Sequence, residues 1–148
     1  MSKRKIMVIG PTGCGKTTLI RAIDRSDKPL RRTQDIIFGK ETMDVPGAYL
    51  ENPWMYKHLI SAAQNHASHV LILVDQSNPK ETYPPGFAKV FTCPVTGVII
   101  KSDKNPENRE TCERQLAAIG VEGPYFSVSI HQPETIDNLR EYLLGDTV

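Results

Sequence analysis

Eight consecutive residues near the start of the chain have the composition of a phosphate-binding loop. Residues 10–17 read Gly-Pro-Thr-Gly-Cys-Gly-Lys-Thr and fit the pattern Gly-x4-Gly-Lys-[Ser/Thr]. Glycines at these positions let successive backbone N–H groups turn toward an anion. Lys16 adds a positive charge for the β- and γ-phosphates, and the Thr17 hydroxyl can ligate Mg²⁺. The pattern therefore predicts binding of a nucleoside triphosphate, GTP or ATP, together with Mg²⁺.

We expect the nucleotide to contact the whole loop and the residue after it. The predicted cofactor-binding residues are Gly10, Pro11, Thr12, Gly13, Cys14, Gly15, Lys16, Thr17 and Thr18. Lys16 is also a candidate catalytic residue, because its charge can stabilise the transferring phosphoryl group. Cys14 has two interpretations. A thiol among inward N–H groups would have a lowered pKa and react with oxidants, but we favour a small filler residue whose side chain points away.

Two later segments carry candidate Mg²⁺ ligands. Asp44 in the sequence Met-Asp-Val-Pro-Gly can hold Mg²⁺ through water, and the Gly47 N–H can reach a γ-phosphate. Thr33 lies in a polar stretch, residues 26–34, that we predict to be a mobile loop. It is the candidate second Mg²⁺ ligand and a candidate catalytic residue, ordered when the γ-phosphate is present. The alternatives are a plain turn and a solvated threonine, and the order of the segments favours the functional interpretation.

A third segment has the residues of a base-binding site. Guanine-binding proteins place [Asn/Thr]-Lys-x-Asp after a buried strand, and Lys101 and Asp103 match the last part of that pattern. Asp103 would accept two hydrogen bonds from guanine, the Lys101 stem would cover the ring, and Ser129 fits the loop that closes over the base. Ile100 departs from the pattern because it cannot supply the polar bracing group. Guanine is favoured, ATP stays open, and Asp103 could instead be a turn residue.

Alternating strands and helices must position these residues. Continuous apolar runs at 5–9, 69–74 and 95–100 predict strands that are buried on both faces. Further strands are predicted at 35–38, 41–44 and 125–128, and helices at 17–25, 52–66, 108–119 and 133–144, with a possible short helix at 85–89. This alternation predicts an α/β fold with a parallel sheet. Ligands of such sheets bind at the carboxyl ends of the strands, where every motif above falls.

Bulk composition narrows the class of protein. The 148 residues fit one domain, residues 1–148, and the net charge of +1 argues against a nucleic-acid partner. The apolar run after the basic residues 3–5 is too short for a signal peptide or a membrane span, so we expect no membrane partner. Cys14, Cys93 and Cys112 are widely spaced and indicate neither a zinc site nor a disulfide framework. A cytoplasmic protein is the expectation.

The order of these motifs resembles the EutP/PduV family of Ras-like P-loop proteins from bacterial ethanolamine- and propanediol-utilisation operons. The most diagnostic parts are Thr33-Gln34, the stretch 44–52 (Asp-Val-Pro-Gly-Ala-Tyr-Leu-Glu-Asn), and Trp54 and Tyr56 after it. The resemblance implies a three-layer Ras-like domain with a six-stranded, mostly parallel sheet and one antiparallel edge strand. It also implies association with a bacterial microcompartment, with shell or pathway proteins as partners and residues 1–9 as the targeting region.

Two departures from the family pattern leave the activity open. The family usually has Glu where this chain has Ala48, so rapid hydrolysis would require Gln34, Glu51 or a partner to orient the attacking water. Ile100 is the second departure. The sequence therefore leaves three functions: a slow NTPase or switch, a phosphotransferase of the acetate kinase type, and a non-enzymatic shell-targeting module. For the second, acetate would need a cation such as Arg31, Arg32 or His58.

Overall fold

A seven-stranded sheet with helices on both faces forms the architecture. The computed structural model describes residues 5–11, 13–26, 31–33, 36–81 and 83–145, with only the backbone for residues 31–33. The strands are β1 (Lys5–Ile9), β2 (Arg31–Thr33), β3 (Ile36–Phe38), β4 (Thr42–Val45), β5 (Ala67–Asp75), β6 (Val95–Ile100) and β7 (Phe126–Ser127). The helices are α1 (Lys16–Asp24), α2 (Ala48–Glu51), α3 (Tyr56–His66), α4 (Arg109–Ile119) and α5 (Pro133–Leu144), with 3₁₀ turns at Pro53–Met55, Phe87–Val90 and Pro106–Asn108.

The strand order is β2-β3-β4-β1-β5-β6-β7. All neighbouring pairs from β4 to β7 are parallel, and β3 runs antiparallel to both of its neighbours. The predicted α/β fold, with a mostly parallel sheet and one antiparallel strand, is therefore confirmed. The sheet differs in one detail, because β2 pairs outside β3 and adds a seventh strand at the edge.

β2 lies inside the stretch that the sequence predicts to be a loop. Its three residues pair with β3 through the backbone, from Arg31 opposite Phe38 to Thr33 opposite Ile36. Backbone pairing at a sheet edge does not require apolar side chains, so the polar sequence gave no strand signal. Residues 27–30, 34 and 35 of the same stretch lie outside the described part of the chain.

Apolar side chains fill both faces of the sheet, which makes three layers. Successive residues of β1 alternate: Met7 and Ile9 pack on the face covered by α3 and α4, and Ile6 and Val8 on the face covered by α1 and α5. Strands β1, β5 and β6 are almost fully buried, as parallel central strands usually are. These central strands end at the edge of the sheet that carries the predicted motifs.

The region after β4 contains several short helical elements where the sequence predicts one continuous helix. In place of one helix over residues 52–66, it has the short α2, a 3₁₀ turn that begins at Pro53, and then α3. Trp54, in that turn, is 72% exposed. The described part of the crossover from β5 to β6 contains the 3₁₀ turn Phe87–Val90. The Phe87 ring in this turn packs against Tyr56, Tyr83 and Phe91. Among the described helices, none has the length and apolar character needed to cross a membrane.

Helix α1 is fixed to the sheet at its carboxyl end. The buried Asp24 carboxylate accepts hydrogen bonds from the Glu41 N–H at 2.8 Å and the Thr42 hydroxyl at 2.9 Å. From α5, the guanidinium of Arg140 donates to the Ile23 carbonyl at 2.7 Å. Because α1 carries the predicted phosphate loop at its other end, these contacts hold that loop in place relative to β4 and α5.

Candidate nucleotide site

The loop between β1 and α1 has the backbone that its glycines predict. Gly13 and Gly15 have φ values of 80° and 97°, which side chains rarely tolerate. Gly10 is needed for space, because a Cβ there would lie 3.0 Å from the Cys14 Sγ and 3.2 Å from Leu73. The Cys14 N–H donates to the Pro11 carbonyl at 3.3 Å, which tightens the turn. The loop can therefore pass close to a phosphate.

Other predicted residues of this loop sit at the start of α1. Thr17 and Thr18 are exposed in its first turn, so the Thr17 hydroxyl is free of the core and accessible to a ligand. An exposed helix amino terminus adds unpaired N–H groups and a partial positive charge. Thr12 lies outside the described residues.

Cys14 points into the protein. It is 2% exposed and packs with Leu19, Ile100 and other apolar side chains on the α1–α5 face of the sheet. Burial raises the pKa of the thiol, and the nearby Lys16 opposes that effect only in part. This geometry agrees with the interpretation of Cys14 as a small filler residue.

Lys16 and Asp44 meet across the front of the loop. The Lys16 ammonium contacts the Asp44 carboxylate, which follows Met43 on β4. Their side chains are 12% and 17% exposed, so both charges are close to solvent but mostly covered. Two oxygen ligands are present here, the Asp44 carboxylate and the Thr17 hydroxyl. This set suits Mg²⁺, because proteins commonly hold Mg²⁺ with one or two of their own oxygens together with phosphates and water. The side chain of Thr33 is outside the described part of the chain.

In the segment after β4, the group that is placed to contact a phosphate is the backbone N–H of Gly47 and not a polar side chain. Gly47 is buried directly before α2, and Tyr49 and Leu50 anchor that helix in the core. Ala48 is exposed on α2 and has no polar group, and the Glu51 side chain is also exposed. The Gly47 N–H could serve a γ-phosphate, but residue 48 cannot orient a water molecule.

A pocket of about 130 Å³ lies at the other end of the loop. Gly15, Ile100, Lys101, Asp103, Ile130 and His131 are among the residues that line it. The Ser129 hydroxyl donates to the Asp103 carboxylate at 2.8 Å, and this bond holds the pKa of that carboxyl below its usual value. The structure thus brings Lys101, Asp103 and Ser129 together beside the phosphate loop, as the sequence predicts.

Two neighbouring residues at the end of β5 contact the segment that carries Lys101 and Asp103, although the sequence analysis did not identify them. The Lys101 ammonium lies 3.3 Å from the Asp75 carboxylate. The Gln76 amide donates to the backbone carbonyls of Ser102 at 3.0 Å and Lys104 at 2.7 Å. Polar residues that directly follow a buried parallel strand are a signal for such a role, because ligands bind at that edge.

Tyr83 is a third residue near the phosphate loop that the sequence analysis did not identify. Its single hydroxyl proton is shared between the carbonyl oxygens of Ile9, at 3.1 Å, and Leu73, at 2.8 Å. It therefore joins the ends of β1 and β5 directly below the phosphate loop. Burial raises the pKa of Tyr83 well above its usual value, so the hydroxyl remains a donor.

The sequence profile of the PduV-EutP family, described as ethanolamine utilisation – propanediol utilisation, matches residues 3–145. The chain belongs to the PduV-EutP family. This PduV-EutP protein is 30% identical over 128 residues to the propanediol utilization protein PduV of Citrobacter freundii, a match that covers 86% of this chain and 85% of that one. It is 31% identical over 147 residues to the probable acetate kinase EutP of Escherichia coli strain K12, covering 97% and 91% of the two chains.

Among solved structures, the PduV-EutP chain resembles a probable GTP-binding protein engB. The two superpose with a TM-score of 0.67 at 20% identity, over 95% of this chain and 97% of the other. At this level of identity the likeness concerns the fold alone. The Ras-like architecture implied by the sequence resemblance is thereby confirmed.

Proposed function

We propose that this PduV-EutP protein binds GTP with Mg²⁺ and acts as a slow GTPase or nucleotide-dependent switch in ethanolamine or propanediol utilisation. The proposal is supported by one observation: the loop has a charged pair suited to phosphates and Mg²⁺ at one end and a pocket suited to a base at the other. Lys16 and Asp44 meet at its front, and Asp103, hydrogen-bonded to Ser129, lies beside the pocket at its other end. A triphosphate bound at the charged pair and a base bound in the pocket would together belong to one nucleotide.

In this proposal the loop amides and Lys16 bind the β- and γ-phosphates, and the Gly47 N–H contacts the γ-phosphate. Thr17, Thr33 and Asp44 would hold Mg²⁺, and the bound ion would neutralise charge on the phosphate oxygens. With nucleotide bound, the Lys16 ammonium would face the phosphates in place of Asp44, and the Asp44 carboxylate would be available to the metal. Each of the two charges thereby exchanges one opposite partner for another.

The expected hydrolysis is slow because no polar side chain stands at residue 48. Intrinsic rates of related switches lie on the order of 10⁻⁴ to 10⁻² s⁻¹ without a partner. Replacing Ala48 by Glu, the residue usual in the family, should raise single-turnover hydrolysis while leaving GTP affinity nearly unchanged. Replacing the exposed Gln64 on α3 by Glu adds the same single negative charge away from the loop and should leave both quantities unchanged.

Titration of the purified protein with GTP, GDP, ATP and ADP, each with and without Mg²⁺, tests the proposal. We expect the triphosphates to need Mg²⁺ for tight binding and GTP to bind more tightly than ATP. Guanine gives Asp103 two donors, whereas adenine leaves a carboxylate unpaired. Equal affinities would refute guanine specificity, and absence of all binding would refute the nucleotide site.

A second candidate function is acetate kinase activity, because relatives that are 31% and 32% identical are named probable acetate kinase EutP. An acetate oxygen would attack the γ-phosphorus of ATP, forming acetyl phosphate and ADP. His58 is the described residue that could attract the carboxylate; it is exposed on α3 and lines a cavity of about 290 Å³ with Ile36 of β3. The side chains of Arg31 and Arg32 lie outside the described residues.

Trapping acetyl phosphate with hydroxylamine tests this second function. Product should form from acetate and Mg-ATP and should be lost in Lys16→Ala, which removes the phosphate-binding charge. Lys57→Ala is the matched control, because Lys57 is an exposed lysine on α3. No acetyl hydroxamate at high protein concentration would rule the activity out.

We also propose association with a bacterial microcompartment, which follows from the family's place in ethanolamine and propanediol utilisation. The shell-targeting residues implied by the resemblance are 1–9, of which residues 5–9 form the buried strand β1. Co-sedimentation of wild type and Lys16→Ala with isolated compartments would separate the roles. Equal association would mean that targeting does not require the nucleotide.

A further inference from the structure

The loop that carries Lys101 and Asp103 is held by a side chain from a different strand. Gln76, which directly follows β5, is 2% exposed. Its amide nitrogen donates to the carbonyls of Ser102 and Lys104, the two residues that flank Asp103. A side chain that binds both neighbours of a residue restricts the backbone of that residue. Gln76 therefore limits where the Asp103 carboxylate can be.

Backbone contacts fix Gln76 itself. Its N–H donates to the Ile100 carbonyl at 3.1 Å, and its carbonyl accepts from the Asn108 amide at 3.0 Å. Asp75, the preceding residue, lies 3.3 Å from the Lys101 ammonium. The two residues at the end of β5 thus contact both parts of the Lys-x-Asp segment.

The side chain of Ile100, the residue directly before that segment, can form no hydrogen bond. Ile100 is 4% exposed and packs with Cys14 and Leu19 in the apolar layer. Guanine-binding proteins have a polar side chain at this position that braces the site. In this chain the bonds to this loop come from Gln76, which directly follows the neighbouring strand β5.

The orientation of the Gln76 amide is costly, which argues for a specific role. Its Oε1 is buried and has no hydrogen-bond partner among the described residues. Leaving a buried carbonyl oxygen unpaired destabilises a protein. Turning the amide over would place Oε1 against two carbonyl oxygens. A methionine of similar size would remove the unpaired oxygen together with both hydrogen bonds to the loop, so what glutamine adds at this position is the connection to residues 102–104.

We propose that Gln76 is the positioning residue of the nucleobase site and substitutes for the polar side chain that is absent at residue 100. It does not touch the base; it holds the 102–104 loop so that Asp103 points toward the Watson–Crick edge of the base. This inference rests on the proposed nucleotide function. The contact between Gln76 and the loop after β6 should therefore affect the binding of the base and leave the binding of the phosphates unchanged.

The test compares GTP with inorganic tripolyphosphate, both with Mg²⁺, by calorimetry on the full chain. Tripolyphosphate reports on the phosphate loop alone, since it has no base. The variant is Gln76→Met, and the matched control is Gln115→Met. Gln115, on α4, is partly buried, also has a buried Oε1 without a partner among the described residues, and lines a different cavity. Thermal unfolding of all three proteins accompanies the titrations.

Loss of two hydrogen bonds to the loop should weaken GTP binding of Gln76→Met by about 5- to 50-fold. Tripolyphosphate affinity should stay within about twofold, which would show that any fall in the unfolding temperature leaves the phosphate loop intact. The control should bind both ligands like wild type.

Other results overturn the proposal in distinguishable ways. Unchanged GTP affinity in Gln76→Met, or an equal loss for both ligands, would show that Gln76 has a structural role only. Equal affinity of wild type for GTP and tripolyphosphate would mean that the base contributes nothing, with phosphate binding intact. Absence of binding of either ligand to wild type would refute the proposed function itself.

Discussion

The Lys16 ammonium contacts the Asp44 carboxylate, which joins the first residue of α1 to β4 through one ion pair. The two side chains are mostly covered by protein, so the charges interact through a medium less polar than water. The Lys16 charge therefore faces Asp44 instead of a phosphate, and the Asp44 charge faces Lys16 instead of a metal ion. Binding must therefore replace an existing interaction as well as form new ones.

Replacing Lys16 by Met should strongly weaken triphosphate binding. The variant removes the charge that faces the phosphates, and it leaves Asp44 without its cation, which adds repulsion toward an anion. We expect affinity for Mg-GTP to fall by at least about 100-fold, as for loss of a charge-assisted contact. Calorimetric titration measures it, with the exposed Lys57→Met on α3 as control. Wild-type affinity in Lys16→Met would exclude the loop as the phosphate site.

Replacing Ser129 by Ala should change the pH dependence of GTP binding. The Ser129 hydroxyl lowers the pKa of Asp103, so the carboxylate stays ionised until the pH falls through that lowered value. Without the hydroxyl the pKa rises, and the loss of GTP affinity on acidification should begin at a higher pH. Titrations across the acid range measure this shift.

Two controls accompany that measurement. Tripolyphosphate binding should show the same pH profile in wild type and Ser129→Ala, because it does not involve Asp103. The matched variant is Ser127→Ala on β7, whose buried hydroxyl has no partner among the described residues. An unchanged GTP profile in Ser129→Ala would separate Asp103 from base binding.

Replacing Tyr83 by Phe should destabilise the fold and loosen the phosphate loop. The change leaves the Ile9 and Leu73 carbonyls without this donor, at a cost of about 1–3 kcal/mol in the free energy of unfolding. Urea denaturation measures the loss. Tripolyphosphate affinity should also fall, since Gly10 follows Ile9 directly. Tyr142→Phe, at a ring that is 58% exposed, is the control and should have little effect.

The three cysteines should react with a thiol alkylator in an order set by burial. Cys93 is partly exposed, whereas Cys14 and Cys112 are 2% and 0% exposed. Burial raises the pKa of Cys14 and raises that of Cys112 to about 11, so their reactive thiolates are scarce at neutral pH. Mass spectrometry of the native protein should find Cys93 labelled first, with or without nucleotide. Early labelling of Cys14 that GTP prevents would support the reactive interpretation.

Local signals were sufficient for much of the fold. The bounds of β1, β6 and α5 agree with the sequence predictions, because continuous apolar runs define the strands and Pro133 and Gly145 mark the helix ends. The phosphate loop was recognisable for the same reason, since all of its chemistry lies in eight consecutive residues.

Long-range contacts were not accessible from the sequence. Gln76 binds carbonyls 26 and 28 residues later, and Tyr83 binds one that is 74 residues earlier. Backbone carbonyls carry no residue-specific signal, so neither partner can be read from side-chain types. The strand β2 was missed for a similar reason, because it exists through backbone pairing with β3.

The indole of Trp54 gives the protein an optical property of its own. It is the chain's single tryptophan, it is 72% exposed, and it lies three residues after α2, the helix that Gly47 precedes. Its fluorescence therefore comes from one water-exposed position next to the segment proposed to contact the γ-phosphate. A rearrangement of α2 that covers the ring would shift the emission to shorter wavelength, so unlabelled protein can report its own conformational state.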